Sequence, residues 1–70
     1  MSKEEQKIIE LLIEYDNGVT IVSLNEISGI SVSKIRNILY KLEGQRKLGA
    51  FMKYGTLYYS YRDWTLENIV

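Results

Sequence analysis

Turn-forming residues cut this chain into short pieces, and they constrain its fold more than any other feature. Asp16-Asn17-Gly18, Ser28-Gly29, Gly44 and Tyr54-Gly55 divide the 70 residues into segments that each keep one apolar period. Ahead of the first break, Ile8, Ile9, Leu11, Leu12, Ile13 and Tyr15 recur at helical spacing. Ser2 and Glu5 stand three apart, the spacing of a capping box, so a helix over about 3–16 is expected. Its apolar residues spread over roughly 200° of the wheel, against about 100° for one core-facing stripe.

Past Gly18 the pattern changes. Val19 and Thr20 are β-branched and suit one short strand. Ile21, Leu24 and Ile27 then recur at three-residue steps, giving a second helix over about 21–28. Thr20 is one candidate cap; Ser23, with Glu26 three residues on, is a rival that shortens the helix. Gly29 breaks it, since glycine enters a left-handed turn without steric cost. Ser31 caps a third helix over about 32–43, whose stripe is Ile35, Ile38, Leu39 and Leu42 and whose end is set by Gly44.

Residues 48–61 read as a hairpin. A turn at Tyr54-Gly55 sets Met52 opposite Leu57, Ala50 opposite Tyr59 and Leu48 opposite Tyr61, all on one apolar face. The other face holds Gly49, Phe51, Lys53, Thr56, Tyr58 and Ser60, with Phe51 and Tyr58 as a cross-strand aromatic pair. Residues 63–70 suit a C-terminal turn capped by Asp63. One domain over 1–70 is expected.

Size limits how such a domain is held together. At 70 residues only roughly 60% of the unfolded surface can be buried, which leaves stability marginal. The chain has no cysteine and no histidine, so neither a disulfide nor a thiolate or imidazole metal site supplies help. Helix packing, oligomerisation or both must do so. The same absences remove the usual bases and nucleophiles, there is no Gly-rich phosphate loop, and Glu10 and Glu14 read as solubilising charge on a helix surface. An enzyme, a metal site or a cofactor is not expected, and no small-molecule ligand is evident. No apolar run approaches the roughly 20 residues of a membrane span, and Met1 to Glu5 lack the apolar stretch of a secretory signal. A cytoplasmic setting is expected.

The formal net charge of zero conceals a segregation. Residues 1–26 hold two lysines against six acids, −4; residues 27–62 hold seven basic residues against Glu43 alone, +6; the last eight carry two acids, −2. A middle segment this basic is a footprint for polyanions. The competing account is a chance segregation in a short chain whose lysines and arginines form a solvated face.

The succession Thr20-x3-Leu24-x4-Gly29-Ile30-Ser31-x3-Ile35-x3-Leu39-x2-Leu42 resembles the helix-turn-helix pattern of bacterial and archaeal winged-helix regulators, and the hairpin that follows looks like their wing. In size the chain is similar to the compact fimbrial-operon regulators and other short plasmid, phage or viral regulators. The resemblance implies an α+β, mostly α fold: a winged helix-turn-helix of three helices and a two-stranded wing. It also implies a double-stranded DNA-binding transcription regulator, with the third helix in the major groove and the wing on backbone or minor groove. Asn25 stands where the pattern usually has a small residue, so its amide must find partners or rotate outward.

On that reading Lys34, Arg36, Asn37 and Lys41 project from the face of the third helix that its core stripe leaves free. Arginine or lysine suits guanine, and the Asn37 amide suits adenine. Ser31 and Ser33 lie near the helix start, placed for a phosphate or base edge. Tyr40 stands at the edge of the stripe, Arg46 and Lys47 in the helix-to-wing loop, and Lys53 and Tyr54 at the wing tip. A homodimer is expected, because one recognition helix reads only a few base pairs. Its interface would use Ile9 and Ile13, at one edge of the broad apolar arc, with Trp64, Leu66, Ile69 and Val70; Trp64 is also suited to anchor the C-terminal turn. The alternative is a winged-helix module that binds another protein in a replication or transcription complex.

Overall fold

A computed structural model describes residues 2–65. It contains α1 (Lys3–Glu14), α2 (Ile21–Ser28), α3 (Val32–Gly44), β1 (Leu48–Lys53) and β2 (Thr56–Tyr61), with one tight helical turn at 64–65. Three helices followed by an antiparallel hairpin make an α+β, mostly α fold whose layout is compatible with a winged helix.

The helix starts are set locally. Ser2, Thr20 and Ser31 each sit in extended backbone and accept from the amide three residues on, at Glu5, Ser23 and Lys34. Thr20 is therefore the cap of α2, and Ser23 lies inside the helix as its partner. The Ser2–Glu5 capping box is only half formed: the Glu5 carboxylate accepts from Lys41 Nζ instead.

Two helix ends differ from expectation. α1 stops at Glu14, and Tyr15 rather than Asp16 takes the cap, its carbonyl accepting from Gly18 N at 2.9 Å. α3 runs through Gly44, which is its last helical residue and not its stop. The reversal falls on Arg46, at φ 60°. Arg46 N donates to Glu43 O (3.0 Å) and Lys47 N to Leu42 O (2.8 Å), the paired bonds of a Schellman motif. A left-handed arginine costs roughly 1 kcal/mol over glycine at the same place.

The α2–α3 turn explains how Asn25 is accommodated. Gly29 takes φ 74° and donates to Asn25 O; the Asn25 amide nitrogen donates to Ile30 O at 2.7 Å; Ser28 Oγ donates to Leu24 O and accepts from Ile30 N. The polar side chain that stands in place of a small residue thus ties down the turn itself.

The core joins Ile8, Leu11 and Leu12 of α1, Val19, Leu24 of α2, Ile30, and Ile35, Ile38, Leu39 and Leu42 of α3. Truncating a fully enclosed member such as Leu24 to alanine costs about 2–5 kcal/mol. Ile27, expected on the inner stripe of α2, is instead exposed.

The hairpin has the expected register, Leu48 on Tyr61, Ala50 on Tyr59 and Met52 on Leu57. Tyr54 and Gly55 both take positive φ, 52° and 76°, as a type I′ turn requires. Val19 adds a rung on β2, exchanging two 2.8 Å backbone bonds with Tyr59. Of the apolar face only the base, Leu48, Tyr59 and Tyr61, packs on the core, while Met52 and Leu57 project beyond it. The opposite face is covered at its base as well. Ser60 is buried, and Phe51 stacks on Tyr58 with centroids 5.7 Å apart. Gly18 lies against the Phe51 ring so closely that a Cβ there would stand 2.6 Å from it. No helix among the described residues is long and apolar enough to cross a membrane.

Candidate nucleic-acid interface

α3 buries one stripe and leaves three lines of side chains outside it. Ser33, Asn37 and Tyr40 occupy the line opposite the core and are exposed, Tyr40 at 67%. Seven residues make nearly two helical turns, so Lys34 and Lys41 share one flank, and Arg36 and Glu43 share the other.

The first flank meets α1. Lys34 Nζ lies 3.4 Å from the Glu4 carboxylate, and Lys41 Nζ lies 3.0 Å from that of Glu5. The Glu4 pair is open to solvent and contributes little. Glu5 differs, being only 8% exposed, so Lys41 neutralises a carboxylate that water barely reaches. Both lysines, expected at DNA, thus have an intramolecular carboxylate partner as well.

The second flank meets the hairpin. Arg36, Leu39, Tyr40 and Glu43 face Leu48, Leu57 and Tyr59 across a groove of about 370 Å³, closed at one side by Thr20, Ile21 and Val22. Arg36 has no carboxylate within 4.0 Å among the described residues. The Tyr59 hydroxyl belongs to this neighbourhood. Burial pushes its pKa above the usual tyrosine range, Tyr40 and Glu43 push the same way, and Arg36 opposes them. It stays a protonated donor at neutral pH.

The remaining expected contacts are spread around these two flanks. The Ser31 hydroxyl is occupied as the cap of α3. Arg46 is exposed at its left-handed position, while Lys47 is half-buried. At the hairpin tip Tyr54 is almost wholly exposed, with Lys53 Nζ 5.7 Å from its ring centroid. Arg62, which also contributes to the basic segment, has a structural role: its guanidinium donates to Asp16 O (3.0 Å) and Tyr61 O (2.7 Å), tying the end of β2 to the loop after α1.

Of the residues expected at a dimer interface, Ile9 packs half-buried against the core, and Ile13 is 54% exposed. Tyr15 is the other exposed apolar residue at the end of this helix, so the fold itself covers most of the broad apolar arc. Trp64 is engaged within the chain, its indole donating to Leu48 O (2.8 Å) and its backbone to Arg46 O (2.9 Å). Asp63 caps the turn, accepting from the amide and hydroxyl of Thr65, and the hydroxyl bond foremost holds its pKa below the usual carboxylate range. Leu66, Ile69 and Val70 lie outside the described residues. No group of three or more acidic, histidine or cysteine side chains stands close enough to hold a metal among the described residues.

Sequence reasoning missed Glu4 and Glu5 as neighbours of the basic helix. Only the acidity of the first segment hinted at them. Comparisons with protein-family models, with curated proteins and with solved structures find no match for this chain.

Proposed function

We propose that this chain is a winged helix-turn-helix transcription regulator that binds double-stranded DNA as a homodimer. In this reading α3 enters the major groove and the hairpin meets backbone or minor groove. The observation that carries the proposal is the exposed row of Ser33, Asn37 and Tyr40 on α3, with Arg36, which has no ion-pair partner among the described residues, beside it on the flank nearest the hairpin. Arg36 and Asn37 have the donor geometry for guanine and adenine edges, and Tyr40 offers a ring to a thymine methyl. Arg46, Lys47 and Lys53 supply phosphate contacts. The Glu4 and Glu5 pairs shift the footprint away from α1 and toward the hairpin.

For the dimer, Ile13 of α1 is an exposed apolar residue that supports the expected interface. Two recognition helices related by a two-fold axis read half-sites about 34 Å apart. Sedimentation at micromolar concentration checks this; a monomer both free and on DNA removes the dimer from the proposal.

One observation favours a second reading. Val22, Tyr40 and Leu57 are exposed apolar residues lining the groove, and exposed Met52 pairs with Leu57 beside it. Such a surface suits a module that binds another protein. A mobility-shift titration on mixed-sequence duplex at several salt concentrations separates the two. DNA binding that weakens steeply with salt supports the regulator, and a folded protein that leaves duplex unshifted at low salt supports the protein-binding module.

A further inference from the structure

The groove between α3 and the hairpin has the build of a small-ligand site. Its volume of about 370 Å³ falls at the lower end of the roughly 300–1,000 Å³ range of such sites. Its wall is largely apolar, with Ile21, Leu39 and Leu57, and its polar groups come from Thr20, Thr56, Tyr59 and the Arg36, Tyr40 and Glu43 side chains of α3.

We infer that this groove binds a small apolar carboxylate, with the carboxylate held by Arg36 and the apolar body lying on Ile21, Leu39 and Leu57. Charge decides the class of ligand. The lysines on the far flank of α3 already have carboxylate partners, whereas Arg36 has none within 4.0 Å among the described residues. Its planar fork matches a carboxylate in two parallel hydrogen bonds. The protonated Tyr59 hydroxyl is a further donor in the same neighbourhood. Glu43 lines the groove about 10 Å farther along the helix, two turns from Arg36, and repels an anion at that end. The ligand therefore has one orientation. Because residues 20 to 59 build the groove together, no local motif announced it.

The test needs no nucleic acid, so it stands apart from the DNA-binding reading. The full 70-residue chain, labelled with ¹⁵N, is titrated with 4-phenylbutyrate and, separately, with the neutral 4-phenylbutanol, and amide shifts are followed by NMR. Saturable shifts centred on Ile21, Leu39, Leu57 and Tyr59 are expected, with a Kd of roughly a millimolar or tighter for the carboxylate. The alcohol should bind about 10-fold more weakly, since it forgoes the charge-assisted pair. Arg36→Gln should bring the carboxylate down to the level of the alcohol while the rest of the spectrum stays folded. Leu57→Ser, at the groove's exposed edge, should weaken binding of both alike, since each loses the same apolar contact. Shifts that never saturate, shifts scattered over the lysines, or an unchanged carboxylate preference in Arg36→Gln would overturn the assignment.

Discussion

The two flanks of α3 each carry ionisable residues seven apart, yet they have different neighbours. Lys34 and Lys41 face the acidic start of α1 and are paired with Glu4 and Glu5. Arg36 and Glu43 face an open groove and the hairpin. From the helix alone all three basic residues look equally available to a polyanion. Tertiary structure makes them unequal, because a phosphate that takes Lys41 must leave the enclosed Glu5 carboxylate without its partner. The difference teaches that the basic segment is not uniform and that, among the described residues, the charge outside the ion pairs of α3 with α1 lies toward the hairpin.

The largest effect that would break this comparison is at Arg36. Arg36→Ala should weaken binding to a preferred duplex by roughly 1–3 kcal/mol and relax selectivity at one base position. Lys41→Ala should weaken binding less than half as much. Parallel titrations of the two variants check the pair, and equal losses would erase the asymmetry between the flanks.

Stability should show the reverse order. Lys41→Ala leaves Glu5 enclosed and unpaired, at a cost of about 1 kcal/mol once the exposure of the lysine is allowed for, whereas Arg36→Ala should stay within about 0.5 kcal/mol of the parent. Urea unfolding measures both. Glu5→Gln sharpens the same point, because it frees Lys41 and should tighten duplex binding about 2- to 5-fold at low salt, an advantage lost as salt rises.

Smaller effects are expected beyond α3. Lys53→Ala, at the exposed hairpin tip, should weaken all duplex sequences alike and reduce the salt slope by about 1. Arg46→Gly should raise stability by up to about 1 kcal/mol by relieving the left-handed arginine, while removing one phosphate contact from the proposed interface. A midpoint that rises while affinity falls would separate the two roles of that residue.

What the sequence revealed follows the range of the interactions involved. Helix starts were legible because Ser2, Thr20 and Ser31 act on amides three residues away. The hairpin register was legible because a period of two admits no half-step and Tyr54-Gly55 fixes the turn. The end of α3 was misread because Gly44 is the obvious stop signal, while the motif that closes the helix depends on Lys47 folding back to Leu42. The charge partners were hidden by distance along the chain, 30 residues for Lys34 and 36 for Lys41. Asn25 was legible as a polar residue needing partners, and only the folded turn supplies Ile30 O to its amide. The groove was hidden because it needs α2, α3 and both strands at once.

The central claim is that the cations beside the hairpin, outside the ion pairs of α3 with α1, engage duplex DNA, and salt dependence tests it most directly. Mobility-shift titrations on mixed-sequence duplex, from about 50 to about 200 mM salt, yield the slope of log affinity against log salt. Arg36, Arg46, Lys47 and Lys53, four cations outside the ion pairs of α3 with α1, predict a slope of about −4 per protomer. A folded protein with no detectable binding at the lowest salt, or with a slope near zero, would contradict the account.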